Sequence, residues 1–127
     1  MIYITVPIIF SAIAILIFFN WPEKIVRGMI IGIYVANHGQ ANDTLEIKSD
    51  GSYVLNYKPP HGKNILNKGD WIFNYRNGEP RLSFDNFIFG IPGYGSATKS
   101  TWDVEVESSR KKIKLCIDPD LGYFYEK

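Results

Sequence analysis

The chain is poor in the residues that carry most chemistry. It has one cysteine and two histidines among 127 residues. A lone cysteine, Cys116, closes no disulfide within the chain, so cysteine usage says nothing of the compartment. Neither sign of charge dominates: 14 basic residues stand against 13 acidic ones. That balance excludes the electrostatic footprint of a nucleic-acid binder and gives no case for an anionic surface. Low-complexity segments and repeats of useful period are missing. No helical period runs through the sequence after residue 30.

What is present begins with a long apolar run. Residues 2–19, from Ile2 to Phe19, carry no charge. At ~1.5 Å per residue the run makes about 27 Å of helix, close to the ~30 Å hydrocarbon layer of a bilayer. No basic residue precedes it, and its small residues, Ser11-Ala12-Ile13-Ala14, sit mid-run instead of at a cleavage point. Trp21 follows where headgroups would lie. The expectation is an uncleaved, single-pass transmembrane anchor over residues 1–21, with membrane localisation. Residues 22–127 form the one remaining domain. Lys24 and Arg27 flank the run on its C-terminal side, which read literally puts the domain in the cytoplasm; two charges do not decide the side.

Trp21 to Gly28 reads as a short helix, with Pro22 in its first turn, Arg27 late and Gly28 to end it. Gly32 then starts a strand. From there the period is two. Leu45 and Ile47, then Tyr53, Leu55 and Tyr57, alternate with polar residues. So do Trp71, Phe73 and Tyr75, Leu82 and Phe84, Trp102, Val104 and Val106, and Ile113, Leu115 and Ile117. Turn signals separate them: Asp50-Gly51, Pro59 to Gly62, Asn77-Gly78, Ser108-Ser109 and Pro119 to Gly122. The pattern predicts an all-β domain of about eight short strands in an antiparallel meander. Such a sheet, with one apolar face, closes into a barrel to remove its edges.

Two hairpins can be registered by parity. In the first, a loop Ser49-Asp50-Gly51 with Gly51 left-handed sets Ile47 against Tyr53 and Leu45 against Leu55. In the second, a loop over residues 108–111 sets Val106 against Ile113, Val104 against Leu115 and Trp102 against Ile117. Glu107 then faces Lys112, Glu105 faces Lys114, and Cys116 lies beside Asp103 on the charged face.

Gly32-Ile33-Tyr34-Val35, Thr44-Leu45-Glu46-Ile47, Asp50-Gly51-Ser52-Tyr53 and Gly69-Asp70-Trp71-Ile72-Phe73 together resemble the opening of small lipocalin-like (calycin-type) barrels. There a G-x-Y/W strand leads to a T-L-x-L strand, a D-G-x-Y turn and a G-x-W strand. The resemblance covers residues 32–126. It implies an eight-stranded antiparallel barrel, in some members with an apolar ligand inside. The chain departs from the pattern by short strands and large inward aromatics, and it matches no ligand residue of the family.

Catalysis needs a nucleophile, a base and an orienting group that can meet. His38 and His61 both sit in turn contexts and read as solvated loop residues. Lys112 and Lys114 on the strand of Cys116 would lower its pKa, but no histidine is near in sequence, and Cys116 reads as an ordinary strand cysteine. Asp118-Pro119-Asp120-Leu121-Gly122 suits a β-turn and lacks the spacing of a calcium loop. Asp103, Glu105 and Glu107 are accounted for by lysine partners. The segment from Phe87 to Gly95 is different. Its bulky residues break the alternation and run into three glycines and a proline. It reads either as a strand buried on both faces or as a contact surface, with Phe87, Phe89, Ile91 and Tyr94 as the candidate binding residues.

The sequence therefore reads as a membrane-anchored, non-enzymatic β-barrel interaction module, inhibitor- or assembly-factor-like. Its expected partners are the membrane, through residues 2–19, and another protein. No cofactor, metal or nucleic acid is expected. The alternative is a lipocalin-like carrier of a small apolar ligand.

Overall fold

Alternating apolar residues line one side of eight consecutive strands, and that side turns inward to make a closed barrel. The computed structural model describes residues 24–37, 42–59, 62–89, 98–109 and 112–127. The expected anchor over residues 1–21 lies outside them. Among the described residues no helix is long and apolar enough to cross a membrane.

A four-residue helix, α1 (Arg27–Ile30), leads into β1 (Gly32–Asn37), β2 (Thr44–Ile47), β3 (Ser52–Tyr57), β4 (Ile65–Arg76), β5 (Glu79–Phe89), β6 (Thr98–Ser109), β7 (Lys112–Asp118) and β8 (Tyr123–Glu126). Gly28 lies inside α1 and does not end it, contrary to the sequence expectation. Each strand pairs antiparallel with the next, and β8 returns to β1 through Val35 with Glu126, Ala36 with Tyr125 and Asn37 with Phe124. The meander is thus closed, as the resemblance to calycin-type barrels implies. Three strands are longer than expected: β4 and β6 have 12 residues and β5 has 11.

The turns follow local chemistry. Gly51 has φ +91°, and the β2–β3 loop closes through Lys48 N donating to Ser52 O at 2.9 Å. Ile47 faces Tyr53 and Leu45 faces Leu55, as parity requires. Asn77 and Gly78 both have positive φ, +51° and +78°, the requirement of a two-residue I′ hairpin.

The β6–β7 hairpin departs from expectation by two residues. Val106 pairs with Leu115, Glu107 with Lys114 and Ser108 with Ile113. A shift of two keeps every side chain on its predicted face, so face parity cannot detect it. Ser108 and Ser109 belong to β6 and not to a turn. Cys116 pairs with Glu105, not with Asp103.

β5 carries the main irregularity. Its register shifts between Phe84 and Phe87, where Asn86 has φ +48°. The bulge inserts an extra residue, so Phe84 and Phe87 both point inward although three positions apart. The bulge is locked to β4. Asn67, 1% exposed, donates to Asn86 O at 2.8 Å and accepts from Ile88 N at 2.9 Å. Asp85 Oδ1 accepts from Asp70 N at 2.6 Å, and Tyr53 Oη donates to Asp85 O at 2.5 Å.

Inward side chains from all eight strands make up the core. Tyr34, Tyr53, Phe84, Phe87 and Tyr125 are fully buried with Leu45, Leu55, Leu82 and Leu115. Ile25 and Ile30 of the α1 segment join the same cluster. Tyr34 Oη donates to Ile30 O at 2.7 Å, so α1 is fastened to the interior.

Candidate functional site at the loop end of the barrel

An up-and-down barrel sorts its connections into two ends. At one end lie α1, the β2–β3 turn, the β4–β5 hairpin and the junction of β6 with β7. Arg27 donates to Ser49 O at 3.4 Å and stacks over Trp71 at 4.5 Å, and Tyr75 Oη donates to Ile25 O. The chain leaves and re-enters the other end at Asn37 and Thr44, Tyr57 and Ile65, Phe89 and Thr98, and Asp118 and Tyr123. Phe87–Phe89, the described start of the segment picked out by the sequence, close β5 at this second end.

The candidate residues divide. Phe87 is fully buried and takes part in the core. Its ring lies 5.0 Å from Phe84, 5.6 Å from Tyr53 and 6.4 Å from Tyr125. Ile88 beside it is also buried, so the start of the segment is enclosed on both faces. Phe89 closes β5 opposite Thr98. Ile91 and Tyr94 lie outside the described residues, as do His38 and His61.

Beneath this end sits a polar cluster that sequence reasoning missed. Asp43 is 2% exposed. Its Oδ2 accepts from Tyr123 Oη and Tyr125 Oη, both at 3.2 Å, and its Oδ1 accepts from Lys58 N at 2.7 Å. Burial chiefly raises the pKa of both phenols, and the Asp43 charge adds to it, so at neutral pH each remains a donor. Burial and Asp43 also raise Tyr57. The cluster ties β8, the approach to β2 and the exit of β3 together. A signal was available: Tyr123 and Tyr125 share the inward face of the last strand, and buried phenols need an acceptor.

The remaining candidates are structural. Cys116 is buried, and its thiol is pushed up to about 11. Burial is the main cause, with Glu107 and Glu105 outweighing the opposite effect of Lys114. The expected lowering by lysines is therefore reversed. Asp103 and Glu105 also find different partners. Arg76 donates to Asp103 at 2.6 Å and Arg81 to Glu105 at 3.0 Å. Pro119–Leu121 makes one turn of 3-10 helix, closed by Gly122 N donating to Pro119 O at 3.3 Å. Among the described residues no three His, Cys, Asp or Glu side chains converge as metal ligands.

On the outer wall, Ile33, Val35 and Leu66 are exposed. Polar residues separate β1 from β4 there: Val35, Thr44, Asn56 and Leu66 follow one cross-strand row, and Ile33, Glu46, Val54 and Lys68 the next. Scattered apolar side chains of this kind are ordinary surface. Comparison with protein-family models, with curated proteins and with solved structures finds no match to this chain.

Proposed function

We propose that the protein is a membrane-anchored, non-enzymatic β-barrel that presents its loop end to a protein partner. The observation that carries this reading is the two-ended layout. The described chain begins beside α1, and β5 ends at Phe89, at the opposite end, three residues into the stretch from Phe87 to Gly95 that the sequence singles out. At ~3.3 Å per residue the 11 residues of β5 span about 36 Å, or about 25–30 Å along a barrel axis to which strands tilt by ~35–45°. A contact segment placed there stands away from the bilayer that holds residues 2–19, which favours a protein partner over the membrane interface.

The aromatic rings buried in the interior support the module over the carrier. A carrier holds its ligand where this barrel holds the rings of Tyr53, Phe84, Phe87 and Tyr125. Eight strands leave an interior that side chains of this size can fill.

A photo-crosslinking residue at position 94 of the full chain, in native membranes, should give a discrete protein adduct. The same residue at exposed Glu46 on the wall should not. Tyr94→Ala should leave the melting temperature unchanged and weaken capture of that partner at least about tenfold, or ~1.4 kcal/mol. Equal adducts at both positions, or an unfolded Tyr94→Ala variant, would assign the segment to structure. A small molecule released from the purified chain in native mass spectrometry would favour the carrier.

A further inference from the structure

We infer that the α1 end of the barrel is a second membrane contact, a docking face for the phosphate-bearing headgroup layer of anionic phospholipids. The inference rests on the anchor reading of residues 2–19 and adds a surface outside that run. Phe19 and Lys24 are five residues apart, so at most about 18 Å of chain separates the end of the run from the barrel. Whatever faces the membrane must therefore lie around α1.

The side chains there suit a headgroup layer. Lys24 lies over the ring of Tyr75 at 5.1 Å, and Arg27 lies over Trp71 at 4.5 Å. Tyr75 is 42% exposed and Val26 47%, so an aromatic and an aliphatic side chain stand open beside two cations. Amphipathic aromatics with lysine and arginine are the side chains that populate a membrane–water boundary. Tyr75 reaches this place because β4 runs past its pairing with β3, which ends at Asp70, and carries Trp71 to Arg76 alongside the α1 segment. Its hydroxyl, donating to Ile25 O, fastens the arm to the segment that follows the apolar run. Exposed Lys112, and Lys127 bonded to Ile31 O at 2.6 Å, add two cations at the same end. Asp50, Asp70 and Glu79 share this end, beside Arg27 and Lys24 on the β2–β3 turn and the β4–β5 arm, and exposed Arg76 adds a further cation there. Each basic side chain held near an anionic leaflet adds attraction that decays within a Debye length.

The test uses the full chain in nanodiscs of phosphatidylcholine alone or mixed with phosphatidylserine. Cys116→Ser is combined with a nitroxide-labelled cysteine at Glu79, on the arm, or at Lys63, at the opposite end. In the anionic discs, collisions with a water-soluble nickel chelate should fall several-fold at position 79 relative to 63. About 1 M salt, where the screening length is ~3 Å, should abolish the difference, and Lys24→Glu should reduce it. Equal accessibility at both positions overturns the inference. So does shielding that is the same in discs without anionic lipid and insensitive to salt. A chain that stays out of both kinds of disc overturns the anchor reading alone. The same shielding measurement with that chain on preformed anionic vesicles then decides the docking face.

Discussion

Gly69 shows how strongly one position can be set by its neighbours. A Cβ there would lie 2.5 Å from Asp85 Oδ1, 2.7 Å from the Asp85 carbonyl oxygen and 2.8 Å from Tyr53 Cε1. Two of these atoms belong to the bulge of β5 and the third to a buried ring, so none can retreat without disturbing the lock. Gly69→Ala should lower stability by about 1–3 kcal/mol or more, read as a fall in the urea midpoint. Gly28→Ala is the control: a Cβ there meets nothing within 4 Å, and the change should stay within about 1 kcal/mol of neutral. Buried acids of high pKa make the second residue-scale prediction. The Cys116 thiol rises from 9.0 to about 11, and burial raises Tyr34, Tyr53, Tyr123 and Tyr125 above the ordinary 10.0. Each group binds its proton more tightly folded than unfolded. Their contribution is therefore whole below the unfolded values and is lost as pH rises through the interval to the folded ones. The urea midpoint should fall from about pH 9 upward, with tyrosinate absorbance appearing together with unfolding. Cys116→Ala should flatten the lower part of that slope, between about pH 9 and 11, and a slope unchanged by the variant would show that the thiol does not contribute.

The β6–β7 hairpin separates what was legible in the sequence from what was not. Period-two patterning placed Val104, Val106, Ile113 and Leu115 inside and the charged residues outside, and all four are buried. It could not distinguish two registers of equal parity. Opposed Glu and Lys residues favoured the wrong one, because the hairpin was weighed without its other neighbour. In the barrel β6 also pairs with β5, where Arg81 stands opposite Glu105 and takes it as partner. The broken alternation in β5 was visible in the same way, but its cause, a bulge held by Asn67 from β4, is a long-range fact. By contrast the β2–β3 register was readable because a short loop with a glycine fixes register locally, and Asn77-Gly78 marked the β4–β5 turn. The observed register has an energetic consequence. A double-mutant cycle of Arg81→Ala with Glu105→Ala should give a coupling of a few tenths to ~1 kcal/mol, since Glu105 is half exposed. The cycle of Glu105→Ala with Lys114→Ala should give close to none. Val104→Ala, in the core at 1% exposure, should cost about 1–3 kcal/mol and exceed either single charge removal. Coupling confined to Glu105 and Lys114 would restore the alternative register.

At the scale of the whole molecule, closure is what gives the two ends their different characters. With β8 hydrogen-bonded to β1, every described strand has a neighbour on both sides and no edge strand is left for a partner to extend along its whole length. With aromatic rings through its interior, the barrel offers its ends instead. The end at which β5 finishes could be named only after the strand order was known; the sequence showed that the stretch beginning at Phe87 was unusual but not that Phe87 itself belongs to the core. Asp43 was invisible for a related reason, since its partners come from β8 at the far end of the chain. The assignment of the ends depends on which one the membrane holds, and that can be measured directly. If residues 2–19 remain in the mature protein as an anchor, alkaline carbonate should leave the chain in the membrane pellet. Its intact mass should include the run. Protease added from the side of the domain should trim the chain near residues 20–23 and release a barrel that begins close to Lys24, because the α1 segment is fastened to the core through Ile25, Ile30 and Tyr34. An intact mass that already begins near residue 20 in untreated membranes would show the run to be a removed signal. The proposal for the loop end would then be unaffected, whereas the proposed membrane contact at the α1 end would lose the anchor on which it rests.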